Sequence, residues 1–528
     1  MRRLSLIALT FLSLVATSTV AFGQTLGAVL TPSQETPAPT AISGFGNSTV
    51  TFDSTRTNIT VTITVSNLGS PINNFHIHEG APGVQGPVVI NLIALGGTFV
   101  NGTMTGTFPI PTTDPDLVPR MLKNPGNFYV NVHTNQFPVG AIRGQLSYVS
   151  GGPISYASEL RPANEVPPNA STSFGSSLVT LDLNNNTMAW EADGSGIGNA
   201  TLSHIHRGVA GVSGPVVINF ALSSAAIPSG RTNGSATIAA QQAASFLPSD
   251  LVALASASTA NGYYVNIHSS AFGAGEMRGQ LVPANEYDIP VAGRVTNALG
   301  QTFVTDVRVF NPSYTAAATA LIEYLTGGAT ATAATVVNLA PRGTAVLDDI
   351  GGSSLLNVNG TVGALRVTSA TQLAVTSRIY ADLRSTGKGT LGQFVPAQAR
   401  ASGLRRGVLP QLSNHADLSS GFRTNVGFFN PSPGSSGVSG TGTVTVRLEL
   451  RDGAGTLLGQ NTLVLQPLSQ QQSSIGTYFP GVDLSNAANL TLSFDASAPI
   501  FAYAAVNDNV SADSICVIAQ PDSGVAAN

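Results

Sequence analysis

The feature that most constrains how this chain can fold is that it repeats itself, with two different units each present twice. "FHIHEGAPGVQGPVVIN", from Phe75, returns as "SHIHRGVAGVSGPVVIN", from Ser203, so His76 and His204 are 204 minus 76, or 128, residues apart. Upstream, "LTPSQETPAP" from Leu30 matches "LRPANEVPPN" from Leu160. Downstream, "FYVNVHTNQFPVGAIRGQL" from Phe128 matches "YYVNIHSSAFGAGEMRGQL" from Tyr263, where His133 and His268 are 268 minus 133, or 135, apart. The unequal offsets place insertions between the motifs, as surface loops allow. In the second half a different unit recurs: "TDVRVFNPS" from Thr305 returns as "TNVGFFNPS" from Thr424.

Within these units the apolar period is two. Ile59, Val61, Ile63 and Val65 alternate with Thr60, Thr62 and Thr64, and Val444, Val446, Leu448 and Leu450 alternate with Thr445, Arg447, Glu449 and Arg451. Such runs are half-buried strands. The 56 glycines and 31 prolines supply turns between them. Short helices are expected in "DPDLVPRMLKNPG" and "AASFLPSDLVALASAS", limited by Pro119 and Pro248. The expectation is an all-β protein of four tandem antiparallel β-sandwich or Greek-key barrel domains, at about 24–149, 150–285, 286–402 and 403–528.

Residues 1–23 read as a signal peptide, with Arg2 and Arg3 before a largely apolar Leu4 to Val20 and small residues around Ala21-Phe22-Gly23. No later stretch approaches the roughly 20 apolar residues of a membrane helix, so the chain reads as exported, to the extracellular space or the cell surface, with no integral membrane segment. One cysteine, Cys516, cannot form an internal disulfide. Charged residues are 9% of the chain and the net charge is -4, which excludes the basic field a nucleic-acid binder needs.

Six of the seven histidines lie in the repeated motifs: His76, His78 and His133, then His204, His206 and His268. Residues i and i+2 of a strand share a face. His76 and His78 therefore project together, opposite Phe75 and Ile77, and His133 shares a face with Tyr129 and Asn131. Three imidazoles with an open position suit copper, zinc, iron or nickel. The competing reading is that the rings hydrogen-bond backbone and brace the Gly-rich loop that follows. That loop, with Gly80, Gly83 and Gly86 mirrored by Gly208, Gly211 and Gly214, calls for positive φ before the "VVIN" strand. Arg143 and Arg278 read as ion-pair partners or as groups that attract an anion. The remaining histidine, His415, has no assigned part.

These motifs resemble the CHRD domain, found in many secreted bacterial proteins. The resemblance rests on Glu35 and Glu165 in "E-x-P-P"-like segments, "H-I-H-x-G", "G-P-V-V-I-N", "Y-V-N-V-H" and "G-x-x-R-G-Q-L", over about residues 25–284. It implies an extracellular β domain. The order His-x-His, Val-x-His, Gly-x-x-Arg-Gly also looks like the copper half of copper-zinc superoxide dismutases. Carried over, that similarity implies His76, His78 and His133, and His204, His206 and His268, as copper ligands, with Arg143 and Arg278 as substrate-steering arginines. A bridging histidine, a zinc-ligand cluster and a disulfide are missing from the pattern. The C-terminal pair, including "SRIYADLRSTGKGTLGQFVPA" from Ser377, suits an adhesive or spacer module.

Two functions are then in competition. One is a non-enzymatic exported protein that binds an extracellular protein or polysaccharide; G-x-S-x-G and H-E-x-x-H motifs are absent, which agrees with it. The other is a three-histidine copper protein with dismutase-like sites. No catalytic residue is assigned under the first reading.

Overall fold

The computed structural model describes residues 25–522 apart from 40–41, 43, 54–55, 124, 149–153, 183–186, 221–229, 238–249, 251–261, 298–299, 388 and 435–441. The signal peptide expected over residues 1–23 lies outside them. So does the second expected helix, except Asp250.

The first unit is a pair of antiparallel sheets. One has the strand order Thr103–Pro109, Asn58–Ser66, Phe45–Phe52, Thr25–Leu30, Ser147–Tyr148, and the other Val88–Asn91, Ile72–Glu79, Phe128–Thr134, Ile142–Gln145. The chain starts with two hairpins in the five-stranded sheet and then alternates between sheets. The reason the sheets stack is visible in the alternation: Ile59, Val61 and Ile63 are fully buried, as are Ile77, Val130, Val132 and Ile142 from the facing sheet. The second unit repeats the plan strand for strand, with Thr232–Thr237, Thr187–Ser195, Phe174–Asp182, Ile154–Leu160, Val282–Pro283 in one sheet and Val216–Asn219, Ala200–Arg207, Tyr263–Ser269, Met277–Gln280 in the other. Among the described residues neither sheet closes on itself, so the sandwich half of the expectation holds and the barrel half does not. Among described residues the expected first helix is Leu117–Lys123, with Pro119 in the opening turn, where a missing N–H costs no hydrogen bond.

The C-terminal repeat is also a matched pair of sandwiches. The Asn486–Asp508 strand pairs early with Leu404–His415 and Val444–Arg451, and later with Phe422–Phe429 and Ser514–Ile518. In the earlier copy that work is divided. Thr361–Ser369 pairs with Asn285–Thr296 and Ala318–Leu325, and Ala374–Asp382 with Thr302–Phe310 and Thr390–Pro396. The repeated Asn-Pro-Ser is a structural plug: Asn311 Nδ2 donates to the carbonyls of Ala316, Leu339 and Ala340, and Asn430 Nδ2 to those of Gly442, Leu465 and Gln466. A buried amide holding three carbonyls ties a turn to a neighbouring strand connection, which is why the motif repeats.

The second and third units meet over a buried polar contact. Arg231 is paired with Glu191 at 2.6 Å and donates to the Ala331 carbonyl, and nearby Glu323 and Arg366 form a buried pair at 2.7 Å.

Candidate metal centre

Each histidine set sits on the outer face of a four-stranded sheet, away from the core. Pairing between Ile72–Glu79 and Phe128–Thr134 puts His76 opposite Asn131, His78 opposite Tyr129 and Asn74 opposite His133. Phe75 and Ile77 point the other way into the core, 2% and 0% exposed. In the second unit His204 lies opposite Asn266 and His206 opposite Tyr264. The result is two clusters, His76 with His78 and His133, and His204 with His206 and His268, in each of which one nitrogen per ring lies within 4.8 Å of the others.

Hydrogen bonding decides which nitrogens of the anchored rings keep a lone pair. His78 Nδ1 meets the Gly86 carbonyl at 2.9 Å and His133 Nδ1 meets the Pro138 carbonyl at 3.0 Å. A carbonyl only accepts, so both Nδ1 atoms carry the proton and both Nε2 atoms keep a lone pair. His78 Nε2, His133 Nε2 and His76 Nδ1 are buried without a hydrogen-bond partner. Buried nitrogens of this kind are open to an ordered water or an ion. In the second unit His206 Nδ1 and His268 Nδ1 are anchored to Gly214 and Gly273 carbonyls in the same way, and His206 Nε2 has no partner. There, however, His204 Nδ1 and His268 Nε2 are 3.2 Å apart and bonded to each other.

The loop-bracing and ligand readings are therefore not alternatives. One nitrogen of His78 braces the loop and the other is left over. The loop itself needs its glycines: Gly83 and Gly211 have φ of +75° and +79°, and a Cβ on Gly86 would fall 1.7 Å from the Glu79 carbonyl oxygen.

Burial holds all six rings neutral. His76 and His204 are pushed down to about 4, first by burial and then by the neighbouring imidazoles. His78, His133, His206 and His268 are lowered mainly by burial, against the upward pull of their carbonyl partners. A neutral imidazole is the form that binds a metal.

Arg143 and Arg278 are 1% and 2% exposed, so neither presents its charge to solvent. Their hydrogen-bond partners are neutral: Gln145 Oε1 and the Ala81 carbonyl for Arg143, the Asn164 and Val212 carbonyls for Arg278. The expected ion pair is thus replaced by amide and carbonyl contacts. Glu35 Oε1 accepts from Asn131 Nδ2 at 2.7 Å, and Glu165 Oε1 from Asn266 Nδ2 at 2.6 Å. Burial pushes both carboxyls up to about 7, against the arginine and the amide. Gly140 and Gly275, at φ of +148° and +135°, lie against these carboxyls, leaving no room for a Cβ. The repeated Glu was visible in the sequence; its link to Asn131 was not, because nearly 100 residues separate them. His415 lies apart from both clusters and takes the Phe422 N–H on its Nδ1.

Residues 26–146 and 156–281 match the family model described as CHRD domain. No curated protein matches the chain. Two solved structures show a low likeness. "Crystal Structure of Thermotoga maritima 1070" is 10% identical over 24% of this chain and 99% of its own, with a TM-score of 0.18. "Crystal structure of tetra-tandem repeat in extending region of large adhesion protein" is 9% identical over 89% of this chain and 96% of its own, with a TM-score of 0.10.

Proposed function

This chain is a tandem CHRD-domain protein, and from that premise we propose that it is an exported metal-binding protein whose two CHRD domains each hold one copper ion. The ligands are His76, His78 and His133 in the first and His204, His206 and His268 in the second. The observation that carries this reading is the gathering of one nitrogen from each of three rings within 4.8 Å in both domains, with His76 Nδ1, His78 Nε2 and His133 Nε2 of the first buried and without hydrogen-bond partners. Three neutral nitrogen donors suit copper or zinc and are a poor set for calcium or magnesium, which take oxygen. Bound copper would supply a redox-active, ligand-exchanging centre. The protein's part is to fix the two anchored rings through Gly86 and Pro138, with the proton on Nδ1 and the lone pair on Nε2.

Binding is favoured over dismutation because Arg143 and Arg278 do not reach the surface, where a steering charge acts. Export rests on the extracellular character of CHRD domains and on the signal-like residues 1–23; no described helix is long and apolar enough to cross a membrane. The C-terminal sandwiches serve as the module that meets an extracellular protein or polysaccharide.

The test is metal analysis of protein purified without an affinity tag. Two equivalents of copper that survive dialysis, and vanish in the His76→Ala/His78→Ala/His204→Ala/His206→Ala variant, support the reading. Folded protein that takes up no copper when offered it refutes it.

A further inference from the structure

Next to each histidine cluster lies a buried cation. The Arg143 guanidinium is 3.6 Å from the centre of the Tyr129 ring, and Tyr129 is stacked on His78 at 4.7 Å with the planes 6° apart. The second unit repeats the column: Arg278 is 4.4 Å from Tyr264, which is stacked on His206 at 4.8 Å and 5°. One residue holds imidazole and phenol in register, since Gly86 accepts from His78 Nδ1 and donates its N–H to the Tyr129 hydroxyl. Gly214 does the same for His206 and Tyr264.

Arginine keeps its charge inside proteins, and here its contacts are neutral. Each cluster is then three neutral imidazoles with a fixed positive charge behind one of them. A cation entering the cluster is repelled in proportion to its own charge, and the repulsion is weakly screened because the guanidinium is buried.

We propose that Arg143 and Arg278 set the charge selectivity of the two sites, favouring a monovalent ion, Cu(I), over the divalent Cu(II) and Zn(II). This rests on the metal reading above. The two arginines are positioning and tuning groups, acting through Tyr129 and Tyr264. Glu35 and Glu165 are the carboxyls that feel these arginines; burial pushes them up to about 7, so at pH 6 they are largely neutral and leave the guanidinium uncompensated.

The experiment uses the full chain carrying His204→Ala/His206→Ala, so that only the first site binds. Competition titrations at pH 6 measure Cu(I), without oxygen, and Zn(II). Arg143→Met should lower the Cu(I)-over-Zn(II) preference roughly tenfold, the size of a unit charge about 10 Å away in protein surroundings, with tighter Zn(II) binding as the larger part. At pH 8 Glu35→Gln should move the preference the opposite way by removing a negative charge. An unchanged ratio in a folded Arg143→Met protein overturns the proposal. If that variant does not fold, an unchanged ratio in Glu35→Gln at pH 8 overturns it instead. Failure of the parent to bind either ion is seen before any arginine variant is compared, and it sinks the metal reading itself.

Discussion

The two CHRD domains share one plan and differ in three places. In the first, His76 Nδ1 and His133 Nε2 stand without partners; in the second the equivalent His204 Nδ1 and His268 Nε2 have closed on each other at 3.2 Å. The outer face of the five-stranded sheet differs more. In the first domain it is a threonine ladder, with Thr60, Thr62 and Thr64 bonded across to Thr107, Thr105 and Thr103. Strand pairing puts Ala189, Glu191 and Asp193 at the equivalent positions of the second domain, and there the face is buried against the third sandwich. A third exchange inverts charge: Glu79 pairs with Arg120, whereas Arg207, one residue after His206, pairs with Asp250. The histidines, the stacked arginine and the Glu–Asn contact survive these changes. The side of the domain that carries the cluster is thus separable from the side that docks.

The largest expected asymmetry is in stability. Arg231→Met strands Glu191, which is 3% exposed, and should cost about 3 kcal/mol, the low end for a broken buried pair because Glu191 can take up a proton. Denaturant unfolding of the second domain reads this out, while the corresponding Thr103→Met in the first should change little. An equal effect in both would erase the distinction between docked and open faces.

The pH dependence of the metal-free protein comes next. His76 and His204 have folded values near 4 against about 6.5 unfolded, so the unfolded chain binds more protons between those values. Their contribution is present above about pH 6.5 and is lost as pH falls toward 4. Glu35 and Glu165, raised to about 7, act with the opposite sign: they favour the folded state below about 4.5 and lose that effect as pH rises through 7. Glu35→Gln removes one opposing slope, so its stability should fall more steeply than the parent's from pH 6.5 to 4.5. A parallel curve would contradict the assignment.

A smaller difference is expected in affinity. The second site must give up its His204–His268 hydrogen bond, about 1 kcal/mol, so copper should bind the first site a few fold more tightly. Titrating two variants, each with one cluster disabled by paired His→Ala changes, measures it. The smallest effect belongs to the ladder. Thr62→Ala should cost about 0.5 kcal/mol, a single exposed cross-strand contact.

Much of this was legible in the sequence because period-two alternation is a local signal. It gave the all-β class, the opposite orientation of His76 and Phe75, and the shared face of Tyr129, Asn131 and His133. The repeats gave the doubled plan. Other features were hidden because they depend on groups far apart in the chain. Glu35 reaches Asn131 only after the 31–37 segment folds over the sheet, and the sequence spacing of Tyr129 and Arg143 does not reveal a stack with His78. Open sandwiches rather than barrels follow from strand pairing at the sheet edges, which alternation does not encode. Buried arginines without carboxylate partners ran against the ordinary expectation of an ion pair.

The most direct test of the central claim is a crystal of the copper-loaded protein with anomalous diffraction collected at the copper edge. Two peaks per chain are expected, one bonded to His76 Nδ1, His78 Nε2 and His133 Nε2 and one to the matching nitrogens of His204, His206 and His268. Peaks elsewhere, or none at either cluster in a fully loaded crystal, would contradict it.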